Sequence, residues 1–229
     1  HPDTLLTVNN LGLLYNNLGD YEKAETFYRR SIEGNEVALG KDHPTVLTNI
    51  GNLAMVFNDI KDYEQAEVLY KDVLSRQEKI LGPSHPDTSL TVNNLGMLYY
   101  NLGDYEKAEV FYKRSIEGNE VALGKDHPMV LTSIHNLALL FNDMGDYKNA
   151  IKQYKILKDL QENRLGPEAH DTLLSVNNLG LAYYNIGDYA QAKILFKQAA
   201  EGLEETLGRD HADTVQLLKN VDAAENQIN

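Results

Sequence analysis

The sequence repeats itself every 42 residues, and this period constrains the fold more tightly than any other property of the chain. Residues 1–42 and 85–126 differ at only five positions, among them Leu5/Ser89, Asn16/Tyr100 and Thr26/Val110. Residues 43–84 and 127–168 resemble each other more than their neighbours, and a fifth copy occupies residues 169–210. The unit last duplicated is therefore a pair of copies, 84 residues long. Such a chain stacks one small unit on the next, each covering an apolar face that its neighbour cannot bury alone.

Each copy reads as two helices. The first opens at His-Pro-Asp-Thr, where Pro2 has the φ of a first helical turn and Asp3 or Thr4 supplies a cap. Val8, Leu11, Gly12, Tyr15 and Leu18 then fall on one side at helical spacing, and this side is expected to be core. After the turn Leu18-Gly19-Asp20, Asp20 caps a second helix with Ala24, Tyr28 and Ile32 on its inner face. Gly40 ends that helix in a left-handed C′ conformation. Past residue 211 the pattern fades. A lone helix over about 213–227 puts Asp222 and Glu225 where a further hairpin would demand small and aromatic residues, as a polar end cap should.

The same six positions recur in register. They read Val8, Leu11, Gly12, Tyr15, Ala24, Tyr28; then Ile50, Leu53, Ala54, Phe57, Ala66, Tyr70; then Val92, Leu95, Gly96, Tyr99, Ala108, Tyr112. Ile134, Leu137, Ala138, Phe141, Ala150, Tyr154 and Val176, Leu179, Gly180, Tyr183, Ala192, Phe196 complete the series. This pattern resembles the tetratricopeptide repeat, and the 42-residue period with Leu-Gly before His-Pro resembles the repeats of kinesin light chains and their relatives. The resemblance implies an all-α, right-handed superhelical α-solenoid of five helix-turn-helix repeats and a C-terminal capping helix. The expected organisation is a single domain over 1–229, with repeats 1–42, 43–84, 85–126, 127–168 and 169–210 and the cap at 211–229.

The side of the first helix opposite its core face carries Leu6, Asn9, Asn10, Leu13, Asn16 and Asn17, with asparagine and aliphatic residues where charges would be ordinary. Asn10, Asn52, Asn94, Asn136 and Asn178 form a ladder that Asn220 continues, and Asn9, Asn93 and Asn177 lie beside it. A carboxamide offers both donor and acceptor, which matches an extended peptide backbone. First helices about 10 Å apart and a guest advancing about 3.3–3.6 Å per residue would place one asparagine at about every third guest residue, about fifteen in all. Asparagine at this place binds guest backbone in the kinesin-light-chain-like repeats, so the resemblance implies the same role here. The alternative is that these side chains bridge neighbouring helices. Leu13, Met55, Met97, Leu139 and Leu181 form an adjoining apolar row, joined by Leu6, Leu90 and Leu174, and either contact a partner or pack between helices. Tyr100, Tyr184 and His135 complete the expected peptide-binding set.

Charge narrows the guest. The formal net charge is −13, which disfavours nucleic acid and anionic membranes. Of the 21 Lys and Arg residues only Lys219 falls in a first helix, so the basic carboxylate clamp of chaperone-binding tetratricopeptide domains is absent, as are the basic groove residues with which kinesin light chains favour acidic cargo. Asp59 and Asp143 lean instead toward neutral or basic guests. The chain has no cysteine, which removes disulfides, thiolate metal sites and thiol nucleophiles. His1, His43, His85, His127, His170 and His211 stand one repeat apart, too far for shared metal coordination, and suit helix starts. No phosphate-cradling loop or paired-carboxylate pocket is visible.

The expectation is a non-enzymatic, cofactor-free, cytoplasmic protein-binding scaffold or adaptor that holds an extended, not strongly acidic peptide of a partner. The alternatives are a structural spacer or self-associating array, stacked end to end through the uncapped surface at His1, and a ligand-sensing array within a larger signalling protein. The start on a repeat boundary at His1 suits a segment of something longer.

Overall fold

A computed structural model describes residues 2–228, and side chains from Thr4 onward. The expected roles of His1 and of a cap at Asp3 lie outside these. Among the described residues there are eleven α-helices and no strand. They are α1 (Pro2–Asn17), α2 (Tyr21–Leu39), α3 (Pro44–Asp59), α4 (Tyr63–Ile80), α5 (Pro86–Asn101) and α6 (Tyr105–Leu123). Next come α7 (Pro128–Asp143), α8 (Tyr147–Leu165), α9 (His170–Asn185), α10 (Tyr189–Leu207) and α11 (Ala212–Ile228). The chain forms two compact units, His1–Ala122 and Leu123–Asn229.

Both units are built from one hairpin. Its second helix starts where expected: Asp20, Asp62, Asp146 and Asp188 each accept a hydrogen bond from the backbone N–H three residues on, at 3.1–3.3 Å. Asp104 does the same for Lys107 at 3.2 Å. The first helix starts differently. The cap is the histidine itself: Nδ1 of His43, His85 and His127 accepts from the N–H of Thr45, Asp87 and Met129 at 3.2–3.3 Å, with proline at the first helical position. Asp87 therefore lies inside the first turn, and the Thr88 hydroxyl donates backward to the Gly82 carbonyl at 2.9 Å. In the fifth copy Ala169 takes the cap position and offers no side-chain bond.

Gly40, expected in the left-handed helical region, has φ 90° and ψ 154°. That extended region at positive φ is open essentially to glycine alone. Leu18, expected in the core, is 69% exposed. The helix stops at Asn17, so helical spacing no longer applies one residue later.

Packing follows the repeated motif. In the first unit α1 lies on α2, α2 on α3, α3 on α4 and α4 on α5. Gly12 lets Tyr28 approach so closely that a Cβ there would meet the ring at 2.9 Å, and Gly96 does the same for Tyr112. Tyr15 stacks on Phe27 and Tyr99 on Phe111, with ring centroids 5.4 and 5.3 Å apart. Tyr99 also donates to Glu67 on α4 at 2.6 Å. In the second unit α7 packs on α8, α8 on α9, α9 on α10 and α10 on α11. Leu217, Val221 and Ala224 of the capping helix are buried. Glu225 lies 3.1 Å from Lys193 and 3.2 Å from Lys197, and these ammonium groups hold its carboxyl below the usual range.

Candidate functional site

The first helices α3, α5, α7 and α9 have two buried sides rather than one, whereas in α1 the equivalent Leu14 is exposed. Besides its hairpin partner, α3 touches α1 and α5 in the first unit. Val56 and Leu98 there, and Leu140 and Ala182 in the second unit, are fully buried. A single-helix wheel cannot show this second side, because the neighbour that creates it is a whole repeat away.

The asparagines lie at its edge. Asn93 and Asn177 are each only 8% exposed, Asn9 is half-buried, and the ladder residues Asn52, Asn94, Asn136 and Asn178 are half-buried beside them, with Asn10 exposed. Two bonds join the rows. The Asn52 amide donates to Asn9 Oδ1 at 3.5 Å, and the Asn220 amide donates to Asn177 Oδ1 at 2.8 Å. Asn16 donates to Asp59 at 3.2 Å, Asn101 to Asn58 at 3.1 Å and Asn185 to Asn142 at 3.4 Å. All five bonds span 43 residues, one more than the repeat. An asparagine has two amide hydrogens and a carbonyl oxygen, so one bond to a neighbouring helix leaves a donor and an acceptor for another molecule.

The apolar row borders this ladder. Leu6, Leu13 and Leu90 are exposed in the first unit, with Met55 and Met97 half-buried. Leu139 and Leu181 are exposed in the second. Tyr100 and Tyr184 sit half-buried against Tyr105 and Tyr189, with centroids 5.9 and 5.0 Å apart. His135 packs edge-on to Tyr154 at 6.2 Å, and burial pushes its imidazole below the usual value, toward the neutral form.

No lysine or arginine occurs in α1, α3, α5, α7 or α9, whereas Asp59, Asp87, Asp143 and Asp171 do. Among the described residues, no group of three or more His, Cys, Asp or Glu side chains could hold a metal ion. Among these residues, too, no helix is long and apolar enough to cross a membrane.

Sequence reasoning missed a buried polar layer one helix turn deeper. Ser31, Asn35 and Asn49 are buried together, with the Asn49 amide donating to Ser31 Oγ at 2.8 Å. In the next repeat the Thr91 hydroxyl donates to Gln77 Oε1 at 2.7 Å. The signal was a polar residue recurring at 35, 77, 119 and 161, within otherwise apolar spacing.

The tetratricopeptide repeat profile matches residues 3–79, 48–120, 87–156 and 129–205, together most of the chain. The chain belongs to the tetratricopeptide-repeat family. A search of curated protein sequences returns no match. Among solved structures, the fold is similar to nearly identical tetratricopeptide-like repeats ascribed to a kinesin light chain of Podosopora anserina. There the TM-score is 0.77 at 23% identity, over 90% of this chain and 98% of that one. BtubC (BKLC) from P. vanneervenii gives a TM-score of 0.79 at 23% identity, over 91% and 84%. The third is a signal transduction ATPase with a tetratricopeptide repeat sensor from Pyrococcus horikoshii. It gives a TM-score of 0.79 at 14% identity, over 97% of this chain but 32% of that one. Tetratricopeptide repeats are generally protein–protein interaction scaffolds, typically non-catalytic.

Proposed function

We propose that this tetratricopeptide array is a non-enzymatic adaptor of the kinesin-light-chain-like kind, holding an extended peptide segment of a partner on the first-helix face of its units. The observation that carries the reading is the composition of that face. Half-buried carboxamides run beside exposed Leu6, Leu13, Leu90, Leu139 and Leu181, and no lysine or arginine occurs on α1, α3, α5, α7 or α9. Carboxamides satisfy a guest backbone, leucines and methionines take its side chains, and nothing there selects an acidic peptide.

Replacing Asn52, Asn94 and Asn136 together with alanine should weaken capture from a library of extended peptides at least about tenfold, the equivalent of ~1.4 kcal/mol. Helical content by circular dichroism should be retained. Undiminished capture by the helical triple variant would rule the ladder out as the guest site.

A further inference from the structure

The second unit contains a cleft of ≈ 610 Å³ between α7, α8 and α9. Its walls include Leu131, Leu165 and Leu174. Its polar groups are Thr132, His135, Gln161, Arg164, Asp171, Ser175 and Asn178. Gln161 is the unusual one. It is only 8% exposed, and its Oε1 has no hydrogen-bond partner. A buried acceptor left in that condition is costly, and native structures seldom tolerate it without a reason.

The equivalent place one repeat pair earlier shows what has changed. There Gln77 Oε1 accepts from the Thr91 hydroxyl at 2.7 Å. At the corresponding positions in the second unit Ser175 replaces Thr91, His135 replaces Gly51 and Arg164 replaces Ile80. His135 also occupies the place of the acceptor Asn9, so the Asn9–Asn52 type of bond is not available to Asn178.

The cleft presents several acceptors beside the donors of Arg164, Ser175 and Asn178. Gln161 Oε1 needs a donor, and the Asp171 carboxylate lines the entrance. The Thr132 hydroxyl already donates to the Pro128 carbonyl at 3.0 Å, leaving its oxygen as an acceptor. His135, kept neutral by burial, offers a ring nitrogen as a further acceptor. The one permanent cation of the lining, Arg164, donates to the Asp126 carbonyl at 3.2 Å. A guest carboxylate could reach Arg164 but would meet Asp171 and leave Gln161 Oε1 unsatisfied. An aliphatic side chain would fill the walls but supply no donor. A lysine satisfies both requirements: its stem lies along the leucines, and its ammonium has three donors and no acceptor. Gln161 Oε1 is itself fully buried, so reaching the ammonium requires rotation about the soft terminal torsion of its side chain.

We infer that this cleft receives a lysine side chain of the guest, bound through Gln161 Oε1 and the Asp171 carboxylate. The inference rests on the proposed peptide-binding role but has its own test. N-acetyl-lysine methylamide is titrated into the 229-residue chain, followed by NMR of the Gln161 side-chain amide and the Ser175 and Asn178 backbone amides, with the norleucine and glutamate analogues as controls. Saturable shifts with the lysine analogue alone are expected. Gln161→Leu, close in volume, should weaken them about tenfold and Asp171→Asn about threefold. Equal shifts with norleucine, no saturable shift with lysine, or full binding in either variant would overturn the assignment. The Asn52/Asn94/Asn136 alanine variant distinguishes the two ideas, because loss of library capture with lysine-analogue binding intact separates the cleft from the ladder.

Discussion

Tyr70 has its hydroxyl fully buried on α4 with no hydrogen-bond partner, and desolvation drives its ionisation well above the usual range. Tyr28 shares the condition, with its pKa pushed up to about 12 by burial. An unpaired buried hydroxyl destabilises a fold, so Tyr70→Phe should raise stability by about 1 kcal/mol in urea unfolding. The fifth copy already carries the change, since Phe196 fills the same place against Gly180. A loss of stability in the variant would mean that the hydroxyl is bonded. Such residues were legible in outline only. The aromatic position was plain from the repeat, but whether its oxygen finds a partner depends on atoms from two helices. The histidine caps had the same limit: the His-Pro junction marked a helix start, while the ring nitrogen that performs the capping could not be read from residue order.

The hairpin turn shows how one element tolerates a poor residue. Gly19, Gly103, Gly145 and Gly187 adopt φ between 75° and 83°, and in the second copy Lys61 occupies that turn with φ 65°. It is the one described non-glycine residue at positive φ. A Cβ in this region is disfavoured by about 1–2 kcal/mol, partly offset by the entropy glycine loses on folding. Lys61→Gly should therefore stabilise the chain by about 0.5–1 kcal/mol, read as a higher urea midpoint with unchanged slope. An unchanged or lowered midpoint would show the strain relieved elsewhere. At this scale the sequence was most informative, because aspartate caps, small residues and aromatics act within one hairpin. Its error came where a helix stops, at Leu18, and it could not show where a neighbouring helix covers the first, as at Asn93 and Asn177. Both are facts about neighbours, and a wheel drawn on one helix contains no neighbour.

Along the whole chain, lysine and arginine are kept off the first helix of every hairpin. With a net charge of −13 and no lysine or arginine on α1, α3, α5, α7 or α9, the face proposed for the guest lies within a negative field. Association of a lysine-containing peptide should slow at least about tenfold between ~20 and ~200 mM salt, as screening shortens the reach of that field. A neutral peptide of the same length should show little change in stopped-flow traces. Equal salt dependence for both would remove the field from the account. The asparagine bonds carry a different consequence. Odd copies supply the acceptor, at Asn9 and Asn177, whereas even copies have Gly51 and His135 there. The coupling therefore comes as a plug on one copy and a socket on the next, and every second socket is missing. An array built this way repeats with the pair: 84 added residues carry one complete fitting with them, and 42 carry only its plug or its socket.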